Sequence, residues 1–452
     1  MKKLNTDRGF SRSAWLILLL FGTIGQLAWS VENMYFNLFV FDTVAPNLET
    51  ITLMVQLSGI VATVTTLVAG VISDKVGNRR TFISVGYAVW GVTVALFGCL
   101  SPELVGKVLS LEGVQAVSVT LVLVVVGDCI MTVFGSTAND AAFNAWVTDN
   151  TESSYRGKIE GVVAILPLIA MLVVAGGFGI LVELIGYRAL FIGLGAVISI
   201  SGIVGIFIVK DSKNIQRSGT MRDIFYGFRP SVIRANLPLY VTFIIVLVYG
   251  IACQIFMPYL IIYMKTYLSF SVIEYSIVFG AAIAVGAVIN VILGIISDRH
   301  DKVKLLYIAA GIMALGLFGM YFAPADNKAA ALILFGIFGF VMITGYIFVS
   351  ALCGSTVRDF TPEGAAGKLQ GVRMVFSVLI PMIIGPEIGN AINRAQGLKL
   401  EDAGADIMTT EYIPAPEIFL AAAIATLIVF LAIPLLSMAK KKSEAKSNTE
   451  EN

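Results

Sequence analysis

Charged side chains are scarce in this sequence. Asp, Glu, Lys and Arg make up 13% of 452 residues, while 57% are hydrophobic. A soluble domain carries about 25% charged residues, so lipid is the solvent that this composition fits. The net charge of +1 excludes nucleic acid as a partner held by bulk charge. Histidine is confined to His300, which removes a histidine relay or a histidine-rich metal site from consideration. Cys99, Cys129, Cys253 and Cys353 stand far apart in apolar runs with no C-x-x-C pair, so neither a disulfide framework nor a zinc site is indicated. The GKI and GKL tripeptides at Gly157 and Gly367 lack P-loop spacing, and ATP hydrolysis has no support. No enzymatic activity, cofactor or metal is expected.

Long apolar runs are what the chain has instead. The N-terminus has the outline of a signal peptide, with a basic start and an apolar run. That run continues past Glu32 and Asn33 to Phe41, too long for a cleaved leader, and reads as a first membrane helix. Spans of about 20 residues are expected near 14–41, 50–73, 81–99, 117–146, 158–184, 187–209, 236–263, 273–297, 304–323, 329–354, 371–393 and 416–437. The runs are too long and too uniformly apolar for a closed barrel of alternating strands. The fold class is therefore an all-α polytopic membrane protein with about twelve transmembrane helices. With the N-terminus placed in the cytoplasm, 24 Lys and Arg fall in inner loops and tails and six in outer loops. That bias puts both termini on the cytoplasmic side of the cell membrane.

The chain also repeats itself. DNTESSYRGKIEGV from Asp149 returns as DFTPEGAAGKLQGV from Asp359, with Asp, Thr, Gly, Lys, Gly and Val in register. Gly22, Gln26 and Tyr35 of the first span match Gly250, Gln254 and Tyr263 of the seventh. GVISDKVGNRR from Gly70 returns as GIISDRHDKVK from Gly294. Three matches in order argue for an internal duplication. The layout expected is a cytoplasmic N-terminus over 1–13, a six-helix half over 14–209, a charged linker over 210–235, a pseudo-symmetric six-helix half over 236–437 and a polar tail over 438–452.

GVISDKVGNRR resembles the inner loop of the major facilitator superfamily, with Gly70, Asp74, Lys75, Gly77, Arg79 and Arg80 at its key positions. The span count, the long middle loop and the duplicated halves extend the resemblance over nearly the whole chain. The resemblance implies a gating latch on the cytoplasmic side, with Asp74 paired to basic residues or to a helix N-terminus. The second copy keeps Asp298 and Arg299 but replaces the glycine with Asp301 and the first closing arginine with Val303. Around the other repeated phrase, Asp149 is expected to pair with Arg156 or to reach the opposite half. Ala366 stands where Arg156 would recur, so Arg156→Ala is expected to impair transport more than Ala366→Arg.

Polar residues inside apolar spans need a reason, because a central carboxylate costs roughly 2.5–3.5 kcal/mol to insert. Asp128 lies about eleven residues into the fourth span, and Thr132, Gly135 and Asn139 fall within about 40° of it on a helical projection. Withdrawal from water favours the protonated form of a carboxylate, so such a group can carry a proton or hold a cation. A structural hydrogen-bonding role competes with that reading. In the first span Gln26, Ser30, Asn33 and Asn37 share a face, with Trp29 at its side. Amides and an indole suit a neutral, polyhydroxylated ligand. Glu32 lies at the edge of that face, as a ligand contact, a coupling site or a rim charge, with the outer rim favoured. Gln254 pairs with Gln26 by pseudo-symmetry, Tyr259 follows it, and Pro258 should bend the seventh helix.

STANDAAFNAWVTDNT with RGKIEG is loosely similar to the fourth-to-fifth region of glycoside–cation symporters. That resemblance implies sugar-like substrates and a coupling acid in the fourth span, met by Asp128. The second span offers only Gln56, with no acid of the kind those symporters carry. The expectation is a monomeric secondary transporter in a lipid bilayer, coupling a small-molecule substrate to a proton or monovalent cation. The alternatives left open are a drug/proton antiporter, an uncoupled facilitator and a non-transporting receptor.

Overall fold

The computed structural model describes residues 10–151, 156–211, 221–297, 300–362, 366–400 and 411–450. Nearly all of them are helical. Eleven runs are long and apolar enough to cross a membrane. In chain order they are α1 (Arg12–Val44), α2 (Leu48–Val76), α3 (Arg79–Phe97) and α4 (Gly113–Asp149), then Gly161–Ile208, then α7 (Leu237–Thr266) and α8 (Val272–Ile289), followed by α9 (Lys302–Tyr321), α10 (Lys328–Phe360), α11 (Leu369–Gln396) and α12 (Glu417–Lys442). Gly161–Ile208 holds two crossings. Gly186 breaks it with φ 78° and ψ 161°, a backbone that only glycine adopts without strain. The pieces are α5 (161–185) and α6 (187–208), and twelve spans result as the sequence predicts.

Helices that meet lipid on one side and protein on the other are apolar all round, and their packing is set by small residues. α3 and α6 close on each other at Gly91, where a Cβ would stand 2.2 Å from the Gly195 carbonyl oxygen. Five short π-helical segments interrupt the spans: Glu32–Phe36 and Val40–Val44 in α1, Ser136–Phe143 in α4, Val174–Phe178 in α5 and Val375–Leu379 in α11. Each breaks the regular ladder and re-aims the side chains beyond it. In α7 the expected bend at Pro258 is a 3₁₀ turn over Met257–Tyr259. A two-residue antiparallel pairing, Lys399–Leu400 with Glu411–Tyr412, follows α11.

The chain gathers into two compact units. The first is Met1–Tyr35, Val64–Val174 and Leu181–Met221; the second is Phe36–Thr63, Ala175–Ile180 and Arg222–Asn452. Residues 36–63 and 175–180, from the first half of the sequence, belong to the second unit.

Candidate functional site

In the first unit, α1 loses its regular ladder at Glu32, the first residue of a π turn. Glu32 is not a rim charge: it is only 8% exposed. It meets α4, where Thr132 Oγ1 lies 3.3 Å from Glu32 Oε1 and 2.8 Å from the Asp128 carbonyl oxygen. Asp128 itself is 2% exposed. The correction has a simple cause. A carboxylate at this depth is far better placed against a facing polar helix than toward lipid. The result is two buried acids on two helices: the Glu32 carboxylate meets the Thr132 hydroxyl, and Asp128 lies one turn before Thr132 on the same helix. A carboxylate without a counter-charge is costly to bury, and a bound cation offsets that cost.

The expected stripe on α4 continues below the pair. Thr132, Gly135 and Asn139 are all buried. A Cβ on Gly135 would stand 2.8 Å from the Trp90 ring and 3.0 Å from Trp29, so glycine admits both indoles. Those rings pack at 5.1 Å between centroids, which occupies Trp29 with Trp90. Asn139 Oδ1 lies 2.9 Å from the Tyr87 hydroxyl, and its amide donates to Asp140 Oδ1 at 3.2 Å. Asp140 is a further interior acid, with Ser136, Asn139 and Trp29 around its carboxylate. On an ideal helix it stands about 100° from Asn139; the π segment Ser136–Phe143 is what changes its aim.

The other ligand candidates divide between the units. Gln26 is half-buried in the first, and Asn33 is exposed, its amide donating to the Trp29 carbonyl at 2.8 Å. Asn37 and Tyr259 are buried in the second, and Gln254 is half-buried there. Asn37 donates to the Pro258 carbonyl at 3.4 Å. The Tyr259 hydroxyl lies 2.6 Å from Thr52 Oγ1 and donates to the Pro386 carbonyl at 2.9 Å. Both side chains therefore fasten the C-terminal part of α1 and the N-terminal part of α2 to α7 and α11, and this is why 36–63 belongs to the second unit. Gln56 adds bonds to the Ile383 carbonyl at 3.0 Å and to Glu387 Oε2 at 3.1 Å. Further out, Lys265 grips both oxygens of Asp42 at 2.6 and 2.7 Å, and Arg394 reaches Glu49 at 2.7 Å. Opposite charges at the outer ends of the repeat-related spans α1 and α7 were the available signal for the first of these pairs.

At the other end of the first unit stands the repeated loop. Gly77 takes φ 67° to turn α2 into α3, a conformation suited to glycine. Arg79, its side chain 5% exposed, donates from Nε to Asp149 Oδ2 at 3.0 Å and from Nη1 to Ser73 Oγ at 2.6 Å, and its Nη2 bonds Asp74 Oδ1. Asp74 pairs with a basic residue as the resemblance implies, whereas Asp149 is held by Arg79. Lys75 is exposed, Arg80 bonds the Ile206 carbonyl, and Gly70 has open space beside it. The side chain of Arg156 and the residues Asp298 and Arg299 lie outside the described part. In the second unit Lys302 Nζ reaches Asp359 Oδ2 at 2.6 Å. The second copy has thus moved its cation one residue earlier, to the position equivalent to Asn78, which compensates for Val303.

Twelve apolar spans, repeated in two sets of six with an equivalent charged clamp in each, define a duplicated membrane-carrier architecture. The chain belongs to the Major Facilitator Superfamily, whose sequence profile matches residues 11–386. Two solved structures share the fold at 12% identity. The D323A mutant of the nucleoside transporter NupG superposes with a TM-score of 0.66 over 93% of this chain and 99% of that one. A D-xylose-proton symporter superposes with a TM-score of 0.68 over 92% of this chain and 97% of the other. No curated protein matches the sequence.

Proposed function

We propose that this transporter is a secondary active symporter of the cell membrane that moves a small, neutral, sugar-like solute with a proton or monovalent cation. The observation that carries the reading is the burial of two acids in the first unit, Asp128 and Glu32, with Thr132 linking the Glu32 carboxylate to the helix of Asp128. Such a pair changes its charge or takes up a cation at modest free-energy cost, and a helix contact then depends on its occupancy. Gln26, Trp29, Asn33 and Gln254 supply the amides and the ring for hydroxyls and C–H faces. Asn37 and Tyr259 join them only when the bonds of the outer seal open. The inner clamp of Gly70, Asp74, Lys75, Gly77, Arg79, Arg80 and Asp149, with Arg156, Asp298 and Arg299, serves as the gate at the face assigned to the cytoplasm. Two proteins of the same fold bear names that refer to a nucleoside and to xylose with a proton, both polyhydroxylated, and that supports the substrate class. The chain works as a monomer in the bilayer, with both termini cytoplasmic.

A thermal-shift screen of sugars, glycosides, nucleosides, amino acids and lipophilic cations on the purified protein should find its solute among the first three classes. Proteoliposomes carrying that solute should then accumulate it above equilibrium under an imposed proton or sodium gradient. Simple equilibration, with no response to either gradient, would make the protein a facilitator; a hit only among lipophilic cations would make it an exporter.

A further inference from the structure

α11 carries an acid that neither the coupling acids nor the inner clamp use. Glu387 lies inside the span, about 13 Å along the helix from its end at Gln396, yet it is exposed. A charged group at such a depth belongs to a water-filled cavity or a polar guest rather than to lipid. The Gln56 amide nitrogen donates to Glu387 Oε2 at 3.1 Å and to the Ile383 carbonyl at 3.0 Å. A primary amide has two N–H groups, and both are spent here. Gln56 therefore has only its carbonyl oxygen left to offer, and two acceptor partners fix the orientation of the amide. One residue before Glu387, Pro386 stands inside the helix and has no N–H to give the Met382 carbonyl. The Pro386 carbonyl is itself held by Tyr259. The surroundings of Glu387 thus present oxygen acceptors and one negative charge. Among the described residues no cation answers that charge: at the outer ends of the spans, Lys265, Lys328 and Arg394 are matched to Asp42, Glu274 and Glu49.

We propose that Glu387, with Gln56, is a specificity-determining subsite for a primary ammonium group, so that the carrier takes amino sugars in preference to neutral ones. A set of acceptors calls for a guest rich in donors. A primary ammonium brings three N–H groups and the opposite charge, where a hydroxyl brings one donor and none. A guest carboxylate or phosphate would meet Glu387 as a like charge, and a quaternary ammonium has no N–H to donate. A free alkali ion gains little at an exposed carboxylate, whereas an ammonium on a guest already held by its hydroxyls is delivered to it. The assignment rests on the polyhydroxylated class proposed for the solute, to which Glu387 adds the charge.

Calorimetric titration of the purified full-length protein with matched probes gives the test. Each set holds a hexose, its 2-amino-2-deoxy form and the N-acetylated amine, in the glucose, galactose and mannose series. In a series that binds, the amino sugar should bind about tenfold tighter than the other two, the difference expected for one charge-assisted hydrogen bond. Glu387→Gln should bring that ratio close to one, and Glu387→Asp, which keeps the charge, should leave the amino sugar ahead. Equal affinity of the three forms for the unaltered protein would overturn the proposal and leave the sugar-like reading in place, as would an undiminished preference in Glu387→Gln. Plain alkylamines that bind as tightly as amino sugars, and lose that affinity in Glu387→Gln, would uphold the ammonium subsite and overturn the sugar-like reading. Binding by no member of any set would overturn both.

Discussion

Arg79 and Lys302 open the third and ninth spans and reach the same repeated acid, Asp149 in one half and Asp359 in the other. They do so on different terms. Arg79 is buried and holds three groups at once, Asp149, Asp74 and Ser73. Lys302 makes one bond, with its side chain 27% exposed and that of Asp359 52% exposed. A fork with several satisfied donors fixes direction as well as charge, whereas an ammonium in water is a loose point charge. The duplicated halves have therefore kept the same pairing and lost its equivalence: the first clamp is a rigid corner and the second a tether.

That contrast is breakable in graded steps. Arg79→Ala has the largest expected effect, a loss of roughly 3 kcal/mol, because it strands Asp149 and Asp74 against each other in a partly buried corner. Thermal unfolding in detergent reads it. Arg79→Lys keeps the charge but not the fork, and about 1–2 kcal/mol should be lost on the same scale. Tyr259→Phe removes the hydroxyl between Thr52 and Pro386, and about 1 kcal/mol of the outer seal should go with it. A cysteine placed at Asn37 should then label faster from outside. Lys302→Ala should cost under about 1 kcal/mol, as exposed pairs do. A double-mutant cycle on Lys302 and Asp359 showing a coupling as large as that of Arg79 and Asp149 would abolish the distinction between corner and tether.

Much of this architecture is legible without coordinates, because lipid imposes a coarse rule. An apolar run of sufficient length must be a helix, and twelve of them with a basic bias set the topology expected. Even the turn at Gly77 and the pairing of Asp74 could be anticipated from the loop. What escaped were features that need a second helix or a broken ladder. The described partner of Asp149, Arg79, stands 70 residues away in sequence, while the side chain of Arg156 lies outside the described residues. Glu32 reads as a rim charge when its own helix is considered alone, because the facing helix that supplies Thr132 is not visible there. The polarity of Tyr259 and Asn37 is visible in sequence, while their partners, carbonyls of Pro386 and Pro258, are not. Lys302 escaped for a subtler reason, since the repeat was compared position by position and the cation had moved by one.

The central claim is that Asp128 and Glu32 carry coupling, not merely helix packing. Its most direct measurement is uptake by proteoliposomes in two modes, uphill accumulation under an imposed ion gradient and solute counterflow without one, for the unaltered protein and for Asp128→Asn. The account predicts that Asp128→Asn abolishes uphill accumulation and retains counterflow. Undiminished uphill accumulation in Asp128→Asn would contradict it.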